Sequence, residues 1–165
     1  MGLGMSIYVI PKIKDLSWKE TIEADQFVRR KETEEPLYQK VKHYRLPIPY
    51  SNGIESIFRE LVYWRNEHGL HWWFIDELFN GIDPNPAVKI IPPEKIIELH
   101  QNCCEIISQY IKSYHIPSLQ INAFLENLNY ENCSVYEFLR SIEYMKEITQ
   151  NGFLENHYFQ YQSTW

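Results

Sequence analysis

The chain has 165 residues, of which 44% are hydrophobic and 23% are charged, and its net charge is −6. This composition is ordinary for a globular protein and excludes a fibrous or low-complexity chain. The acidic balance disfavours general nucleic-acid binding, because proteins that neutralise phosphates along a nucleic-acid backbone carry a basic patch. An acidic protein can instead meet a basic surface on a partner. The length predicts a single domain over residues 1–165 with one core.

Aromatic residues make up 15% of the chain, which is high. Large aromatic side chains dominate both cores and interfaces, so the excess indicates either tight packing or an adhesive surface. Three cysteines, two of them adjacent, argue for reduced thiols and against a disulfide framework. The first residues do not form a signal peptide, and no apolar stretch nears the roughly 20 residues that span a bilayer. We therefore expect a soluble cytoplasmic protein without membrane association.

In the first half of the chain, two short strands and two helices are predicted. A β-branched and aromatic run predicts a strand over Met5–Ile10. Within the charged segment Lys12–Lys42 we expect a short helix over Trp18–Arg30, followed by a second strand over Val41–Leu46. Apolar residues at helical spacing predict a long helix from Ile54 to about Asn80, which ends before Gly81 and the prolines that follow.

In the second half, helices are predicted to lead to a terminal strand. Helical spacing and capping residues predict helices from Glu94 to about Tyr114, over Ser118–Leu128 and from Ser134 to about Ile148. His157–Tyr161 is predicted as a strand that pairs with the first strand and with Val41–Leu46. The predicted fold is α+β: a small antiparallel sheet built from the terminal strands, with three to four helices packed on it.

The segment between positions 63 and 74 concentrates side chains that could bind a ligand or a partner. Its candidate binding residues are Trp64, Arg65, His68, His71, Trp72 and Trp73. On one continuous helix, Trp64 and His71 would share a face, and Arg65 would lie with Trp72 on the next. Arginine beside an indole and imidazole groups is suited to an anion, a nucleobase or a backbone strand. Side chains of these types on a helix are, however, more often packed in the core.

No complete metal or catalytic motif is present, and we predict neither a metal nor a cofactor. His68 and His71 are three residues apart, but they do not form an H-E-x-x-H motif, and no third ligand is set by spacing. His100 with Cys103 and Cys104 has the same defect. A nucleophile elbow, a phosphate-binding glycine loop and a dinucleotide fingerprint are all missing. An enzyme is therefore unsupported by motifs, although catalytic residues can assemble in three dimensions.

The last eight residues, Tyr158-Phe-Gln-Tyr-Gln-Ser-Thr-Trp165, are aromatic where chain ends are usually polar and frayed. We expect this tail to be docked in the core of its own domain, in preference to a second copy or a partner.

Three stretches at the start, centre and end of the chain form a pattern. The start is Met1-Gly-Leu-Gly-Met5 and the end is the aromatic tail, while the centre contains Tyr63, Trp64, Arg65, His71, Trp73 and Phe74. In these stretches the chain resembles a family of small proteins encoded by tailed phages and prophages. Members of that family begin MGLDMYL, carry a central YWRKAN-x-IH-x-WFV block and end in FYYxSSW.

The chain departs from the family pattern in three respects. Gly4 replaces an aspartate, His68 replaces an asparagine, and a glycine- and aromatic-rich strand before the last helix is missing. The second departure weakens the idea of a zinc site at His68 and His71. The family has no established activity, so no catalytic residue is carried over. The resemblance implies a small accessory phage protein in the bacterial cytoplasm, and such proteins commonly bind and disable a host factor.

Four functions remain open. The leading hypothesis is a stoichiometric binding protein that blocks a bacterial defence system in the manner of an anti-CRISPR protein. The second is sequestration of a small nucleotide ligand by Trp64, Arg65, His71 and Trp72, across a homo-oligomer. The third is a small enzyme with His71 as general acid or base. The fourth is a structural or regulatory protein whose aromatic block is only core. The partner is accordingly a host protein target or a nucleotide.

Overall fold

The computed structural model describes residues 2–49, 51–113, 139, 140, 142, 143 and 152–165. Within these ranges the chain forms a four-stranded antiparallel sheet, a separate two-stranded sheet and several helices. The predicted α+β class is therefore confirmed. The elements in chain order are β1 (Gly4–Pro11), α1 (Trp18–Arg30), α2 (Pro36–Val41), a 3-10 turn (Lys42–Tyr44), β2 (Leu46–Pro47), β3 (Glu55–Ser56), β4 (Arg59–Arg65), α3 (His68–Phe79), β5 (Ala87–Ile91), α4 (Pro93–Ser113), α5 (Phe153–Asn156) and β6 (His157–Thr164).

The main sheet has the strand order β4-β1-β6-β5, so the two terminal strands form its centre. β1 pairs with β6 along its whole length, from Gly4 opposite Thr164 to Pro11 opposite His157. This pairing confirms the predicted contact between the terminal strands. The outer strands are β4 and β5, which pair antiparallel with β1 and β6 respectively.

Two clusters of buried side chains hold the elements together. The larger core contains alternate residues of β1, β4 and β6 together with apolar residues of α3 and α4. Alternation along a strand sends these residues to one face of the sheet, where the two helices cover them. The smaller core joins α1, α2 and β3 through residues such as Val28, Val41 and Ile57. The chain runs from one core to the other where β1 leads into α1 and where β3 leads into β4.

Helix α1 has the predicted bounds because its ends are set by local signals. Ser17 and Glu20 form a capping box at its start, and Lys31 takes a left-handed conformation at its end. A buried carboxylate then fixes the helix to the short strand β3. Asp25 accepts hydrogen bonds from the Ser56 hydroxyl at 2.6 Å and the Ile57 N–H at 2.8 Å.

The predicted strand over Val41–Leu46 is wrong. Val41 is the last residue of helix α2, and the next three residues form a 3-10 turn. Only Leu46 and Pro47 are extended, as β2. The reason lies in Pro36, which begins α2 because a proline is tolerated in the first helical turn. Tyr38 and Val41, three residues apart, then both face the smaller core.

The long helix predicted from Ile54 to Asn80 is also wrong in its first half, where β3 and β4 are found. Along β4 the buried residues Val62 and Trp64 alternate with the exposed residues Tyr63 and Arg65. Asn66, with a φ of 61°, then turns the chain towards α3, and its N–H donates to the Leu3 carbonyl at 2.8 Å. The third and fourth strands of the sheet are thus β4 and β5, not the segment over Val41–Leu46.

The remaining predictions have mixed outcomes. The helix from Glu94 to about Tyr114 is confirmed as α4, and the strand over His157–Tyr161 is confirmed as part of β6. The helix predicted over Ser118–Leu128 lies outside the described residues. Of the helix predicted from Ser134 to Ile148, only residues 139, 140, 142 and 143 are described, and they are helical. None of the described helices is long and apolar enough to cross a membrane.

Candidate functional site

The candidate residues lie on two different elements, so the helical faces predicted for them do not exist. Trp64 and Arg65 end strand β4, whereas the other four candidates lie on α3. Trp64 is buried in the larger core, 6.5 Å from the Phe74 ring. Trp73 packs edge-on against the same ring at 5.0 Å. Trp64 is therefore a core side chain, Trp73 is half-buried against the core, and Arg65 is exposed at the end of an outer strand.

His71 is the centre of the polar site that the structure does assemble. The side chain is completely buried in the first turns of α3. Its Nδ1 lies 2.7 Å from the Tyr161 hydroxyl, and its Nε2 lies 3.1 Å from Oδ2 of Asp83. One imidazole thus joins helix α3, the loop that follows it and the central strand β6.

Asp83 collects three hydrogen bonds from different parts of this site. Besides His71, the Trp165 indole Nε1–H donates to its Oδ2 at 2.8 Å, and the Asn85 N–H donates to its Oδ1 at 3.1 Å. Burial raises the pKa of Asp83, but the hydrogen bonds from Trp165, Asn85 and His71 outweigh it and lower the pKa below its ordinary value. Asp83 is therefore a carboxylate at neutral pH.

Two protons of this network can be assigned from the same groups. Burial raises the pKa of Tyr161 to about 12, with a further rise from the nearby charge of Asp83. The phenol therefore keeps its proton at neutral pH. The ionised carboxylate of Asp83 can only accept, so Nε2 of His71 donates the hydrogen bond between them. The direction of the hydrogen bond between Nδ1 and the Tyr161 hydroxyl depends on whether Nδ1 carries a proton.

Ser163 lies beside this network, and its hydroxyl has no hydrogen-bond partner in the described part of the chain. Its side chain is buried on the same face of β6 as Tyr161, two residues earlier in the strand. The hydroxyl is close enough to lower the pKa of Tyr161, yet it makes no hydrogen bond of good geometry. Among the described residues, it is the single buried side-chain oxygen or nitrogen without a partner. The Ser163 hydroxyl is thus a further buried polar group next to Tyr161 in this network.

Above the buried network, three aromatic side chains form a surface that we call the aromatic patch: His68, Trp72 and Trp165. The His68 and Trp165 rings stack with their centroids 5.6 Å apart. Trp165 meets the His71 ring edge-on at 5.2 Å, and Trp72 lies 5.6 Å from that ring. Trp72 is 48% exposed and Trp165 is 38% exposed. The patch therefore places two accessible indoles around the buried imidazole.

The docked tail is confirmed, and it supplies much of the site. Phe159 and Tyr161 are fully buried in the larger core, while Trp165 lies at the surface. The residues of the site that sequence reasoning did not assign to it are Asp83, Asn85, Tyr161, Ser163 and Trp165. The separation of 90 positions between His71 and Tyr161 cannot be bridged by a periodicity within one segment. One signal in the sequence could have pointed to Asp83. It lies between Gly81 and Pro84, and an aspartate in such a segment is typical of a turn in which its carboxylate accepts hydrogen bonds from nearby backbone N–H groups.

The described residues form neither of the two zinc sites considered from the sequence, the one at His68 and His71 and the one at His100, Cys103 and Cys104. Both ring nitrogens of His71 are engaged with Tyr161 and Asp83, and His68 is stacked on an indole. Cys104 is 3.9 Å from the nearer nitrogen of His100, while burial raises the pKa of the Cys103 thiol to about 12. Within the described ranges, no group of three or more His, Cys, Asp or Glu side chains could hold a metal ion.

The buried network resembles an acid–base relay, but it is closed to substrates. The His71 and Tyr161 side chains are inaccessible to solvent. A general acid or base must lie within hydrogen-bonding reach of the group that it serves, directly or through one water molecule. The phenol of Tyr161, with its raised pKa, is also a weaker acid than an ordinary tyrosine. The arrangement is thus suited to fixing α3, the Asp83 loop and β6 together.

Comparison of the chain with family models, with curated proteins and with solved structures gives no match.

Proposed function

We propose that the protein acts as a stoichiometric binding protein and that the aromatic patch is the surface that contacts its partner. The observation that carries this proposal is the exposure of Trp72 and Trp165, the second of which is hydrogen-bonded to Asp83. Tryptophan is enriched among the few residues that supply most of the binding energy at protein interfaces. Two exposed indoles that both contact the His71 ring are therefore a favourable centre for such an interface.

The hydrogen bonds beneath the patch support binding because they hold its side chains in place. Trp165 donates its indole N–H to Asp83 at 2.8 Å and its backbone N–H to Oδ1 of Asn85 at 3.3 Å. His68 stacks on the ring of Trp165. Side chains that are already ordered lose less conformational entropy when a partner binds, and this raises affinity.

Binding is favoured over catalysis by the position of the groups that could transfer protons. His71, the residue that the enzyme hypothesis requires, is covered by other side chains and has both nitrogens occupied. The nucleotide hypothesis loses Trp64, which is in the core, and its His71 is buried with both ring nitrogens occupied. Of its four residues, Arg65 and Trp72 remain exposed.

The resemblance to a phage protein family supplies the biological setting of the proposal. In that setting the partner is a host protein, and the proposed role is to block a bacterial defence system of the CRISPR type by one-to-one binding. Such a blocker needs no catalytic groups, only a surface that covers part of the effector.

A titration tests the stoichiometry. Increasing amounts of the protein are added to a fixed amount of a purified defence effector from a host that the phage infects, and the remaining effector activity is measured. We expect full inhibition only at or above one equivalent. Full inhibition far below one equivalent would contradict a stoichiometric blocker and would favour an enzyme.

A pair of variants tests the surface in the same assay. Trp72→Leu removes an exposed indole from the patch. The control, Tyr63→Leu, removes an aromatic ring of similar exposure, 51%, from the other face of the sheet, where the Tyr63 ring lies next to Gly4. We expect Trp72→Leu to weaken inhibition about 30-fold or more, as for a central interface residue, and Tyr63→Leu to act as the wild type. Unchanged inhibition by Trp72→Leu would contradict the proposed surface.

A further inference from the structure

We infer that the aromatic patch receives a cationic side chain, an arginine or a lysine on a basic surface of a partner protein. This inference rests on the proposed function and specifies the chemistry of its partner. It follows from the distribution of charge around the patch and from the electronic character of exposed indole rings.

Charge is distributed unevenly along the chain. Residues 12–45, which include helices α1 and α2, carry nine Lys and Arg against seven Asp and Glu. Residues 65–113, which include α3 and α4, carry four Lys and Arg against seven Asp and Glu. The part of the molecule that contains the patch is therefore acidic, and it complements a basic surface.

The positive charges nearest to α3 along the chain are Arg65, Lys89 and Lys95, and Arg65 is exposed at the end of β4. Lys95 binds the carboxylates of Glu77 and Glu98. Lys89 donates to the Leu78 carbonyl and lies over the Phe79 ring, 5.2 Å from its centroid. Of these three, only Lys95 is neutralised by carboxylates, so Lys89 and Arg65 reduce but do not cancel the excess of seven acidic over four basic residues in this part of the chain.

Helix α3 itself presents only negative and aromatic groups beside the patch. It contains no Lys or Arg, and its exposed face carries His68, Trp72 and Asp76 at successive intervals of four residues. Residues four apart on a helix are neighbours on its surface, so the Asp76 carboxylate lies next to the Trp72 indole. The ionised Asp83 lies on the inner side of the patch, bound to the Trp165 indole N–H. An incoming cation would meet aromatic faces and carboxylates together.

Indole faces attract cations because the ring carries negative charge density above and below its plane. Arginine is favoured, since its planar guanidinium can stack on a ring and donate to a carboxylate at the same time. The positive end of the α3 dipole acts in the opposite sense, but its effect falls off within the first turn. Trp72 and Asp76 lie beyond that turn. A phosphate group, in contrast, would be repelled by both Asp76 and Asp83.

The inference can be tested with peptide probes and the ¹H–¹⁵N NMR signals of the tryptophan indoles. The probes are a short peptide with several arginines and a peptide of the same length with aspartates in their place. We expect the arginine peptide to shift the Trp72 indole signal in a saturable manner and the aspartate peptide to leave it unchanged. In Trp72→Leu the affinity for the arginine peptide should fall about 10-fold, whereas Tyr63→Leu should bind it like the wild type. Equal shifts with both peptides, or none with either, would overturn the inference.

A matched pair of charge reversals tests the same inference on the host partner. Asp76→Lys and Glu23→Lys change the net charge equally. Glu23 serves as the control because it is exposed on α1, a helix that packs on the smaller core. At low salt we expect Asp76→Lys to weaken partner binding several-fold more than Glu23→Lys, and we expect high salt to reduce the difference. Equal effects of the two reversals would overturn the inference.

The two failures can be told apart. If Trp72→Leu abolishes partner binding while Asp76→Lys and the arginine peptide have no specific effect, the patch is the interface but its ligand is not a cation. If Trp72→Leu leaves partner binding intact, the proposed function itself fails.

Discussion

At the scale of single residues, the arrangement around His71 shows how one imidazole stabilises contacts between distant segments. Its two nitrogens form hydrogen bonds with a fully buried phenol and with a carboxylate that is 15% exposed. A buried polar group that loses its partner costs more free energy than the hydrogen bond gained on folding, because it is left without water as well. The network should therefore contribute strongly to the stability of the folded chain.

The first prediction concerns removal of this imidazole. His71→Ala leaves the Tyr161 hydroxyl and one oxygen of Asp83 each without one of its hydrogen bonds, and it also opens a cavity. We expect the free energy of unfolding to fall by about 3–5 kcal/mol, against about 0.5 kcal/mol for the exposed control Trp72→Ala. Urea unfolding followed by circular dichroism measures both. Equal stability of the two variants would mean that the network does not support the fold.

The second prediction concerns pH. The pKa of Asp83 is lower in the folded protein than its ordinary value, so the unfolded chain binds a proton at higher pH than the folded chain does. The stability that this carboxylate contributes is thus fully present above the unfolded pKa of about 3.9 and is lost as the pH falls through the folded pKa. The difference in unfolding free energy between wild type and Asp83→Asn should be largest at pH 7 and shrink below about pH 4. A difference independent of pH, in urea unfolding from pH 7 to pH 3, would exclude this role.

At the scale of elements, the sequence predicts those whose signals are local. The bounds of α1 follow from its capping residues, and β1, α4 and most of β6 follow from their periodicity. β4 was missed because Ile57, Phe58, Leu61 and Val62 fit helical spacing and are also good strand residues. The alternation of Val62 and Trp64 with polar neighbours was the signal for a strand. β5 was missed although a β-branched run between two prolines marks it.

The candidate site was less predictable than the fold, for a physical reason. Its residues come from α3, from the loop with Asp83 and from β6, and their contact depends on β6 lying beside β1 in the sheet. The pattern within one segment selected His68, His71 and Trp72, of which His71 contacts the Trp72 ring and His68 stacks on Trp165. It also selected Trp64, which is in the core, and Trp73, which is half-buried against the core, because the sequence does not distinguish a packed indole from an exposed one.

The third prediction concerns the link between α1 and β3. Asp25 is buried and accepts hydrogen bonds from Ser56, Ile57 and Arg29. Asp25→Ala leaves the Ile57 N–H buried without a partner, so we expect a loss of about 3 kcal/mol in unfolding free energy. Glu23→Ala, at an exposed position of the same helix, should change stability by about 0.5 kcal/mol at most. Comparable losses in both variants, measured by urea unfolding, would refute the link.

At the scale of the whole molecule, the sheet unites the two ends of the chain. β6 is hydrogen-bonded on both sides, to β1 and to β5, and its buried residues belong to the larger core. The C-terminal segment is therefore required for the sheet, while its final tryptophan serves the surface. That the chain forms a single domain stays a prediction.

The fourth prediction follows from this central strand. A chain that ends at residue 156 lacks β6, so we expect it to lose the sheet and to show no cooperative unfolding transition by circular dichroism. Trp165→Leu keeps the strand and should unfold cooperatively, with only the contacts to Asp83, His68 and His71 lost. A cooperative transition in the shortened chain would contradict the central position of β6.

The most direct test of the central claim, that the aromatic patch binds one partner protein, is native mass spectrometry of the protein purified without denaturant from bacteria that express it. Wild type, Trp72→Leu and Tyr63→Leu are produced in parallel and weighed with whatever they retain. We predict a one-to-one complex with the same host protein for wild type and Tyr63→Leu, and the bare chain for Trp72→Leu. A bare chain in all three samples, or the same complex in Trp72→Leu, would contradict the claim.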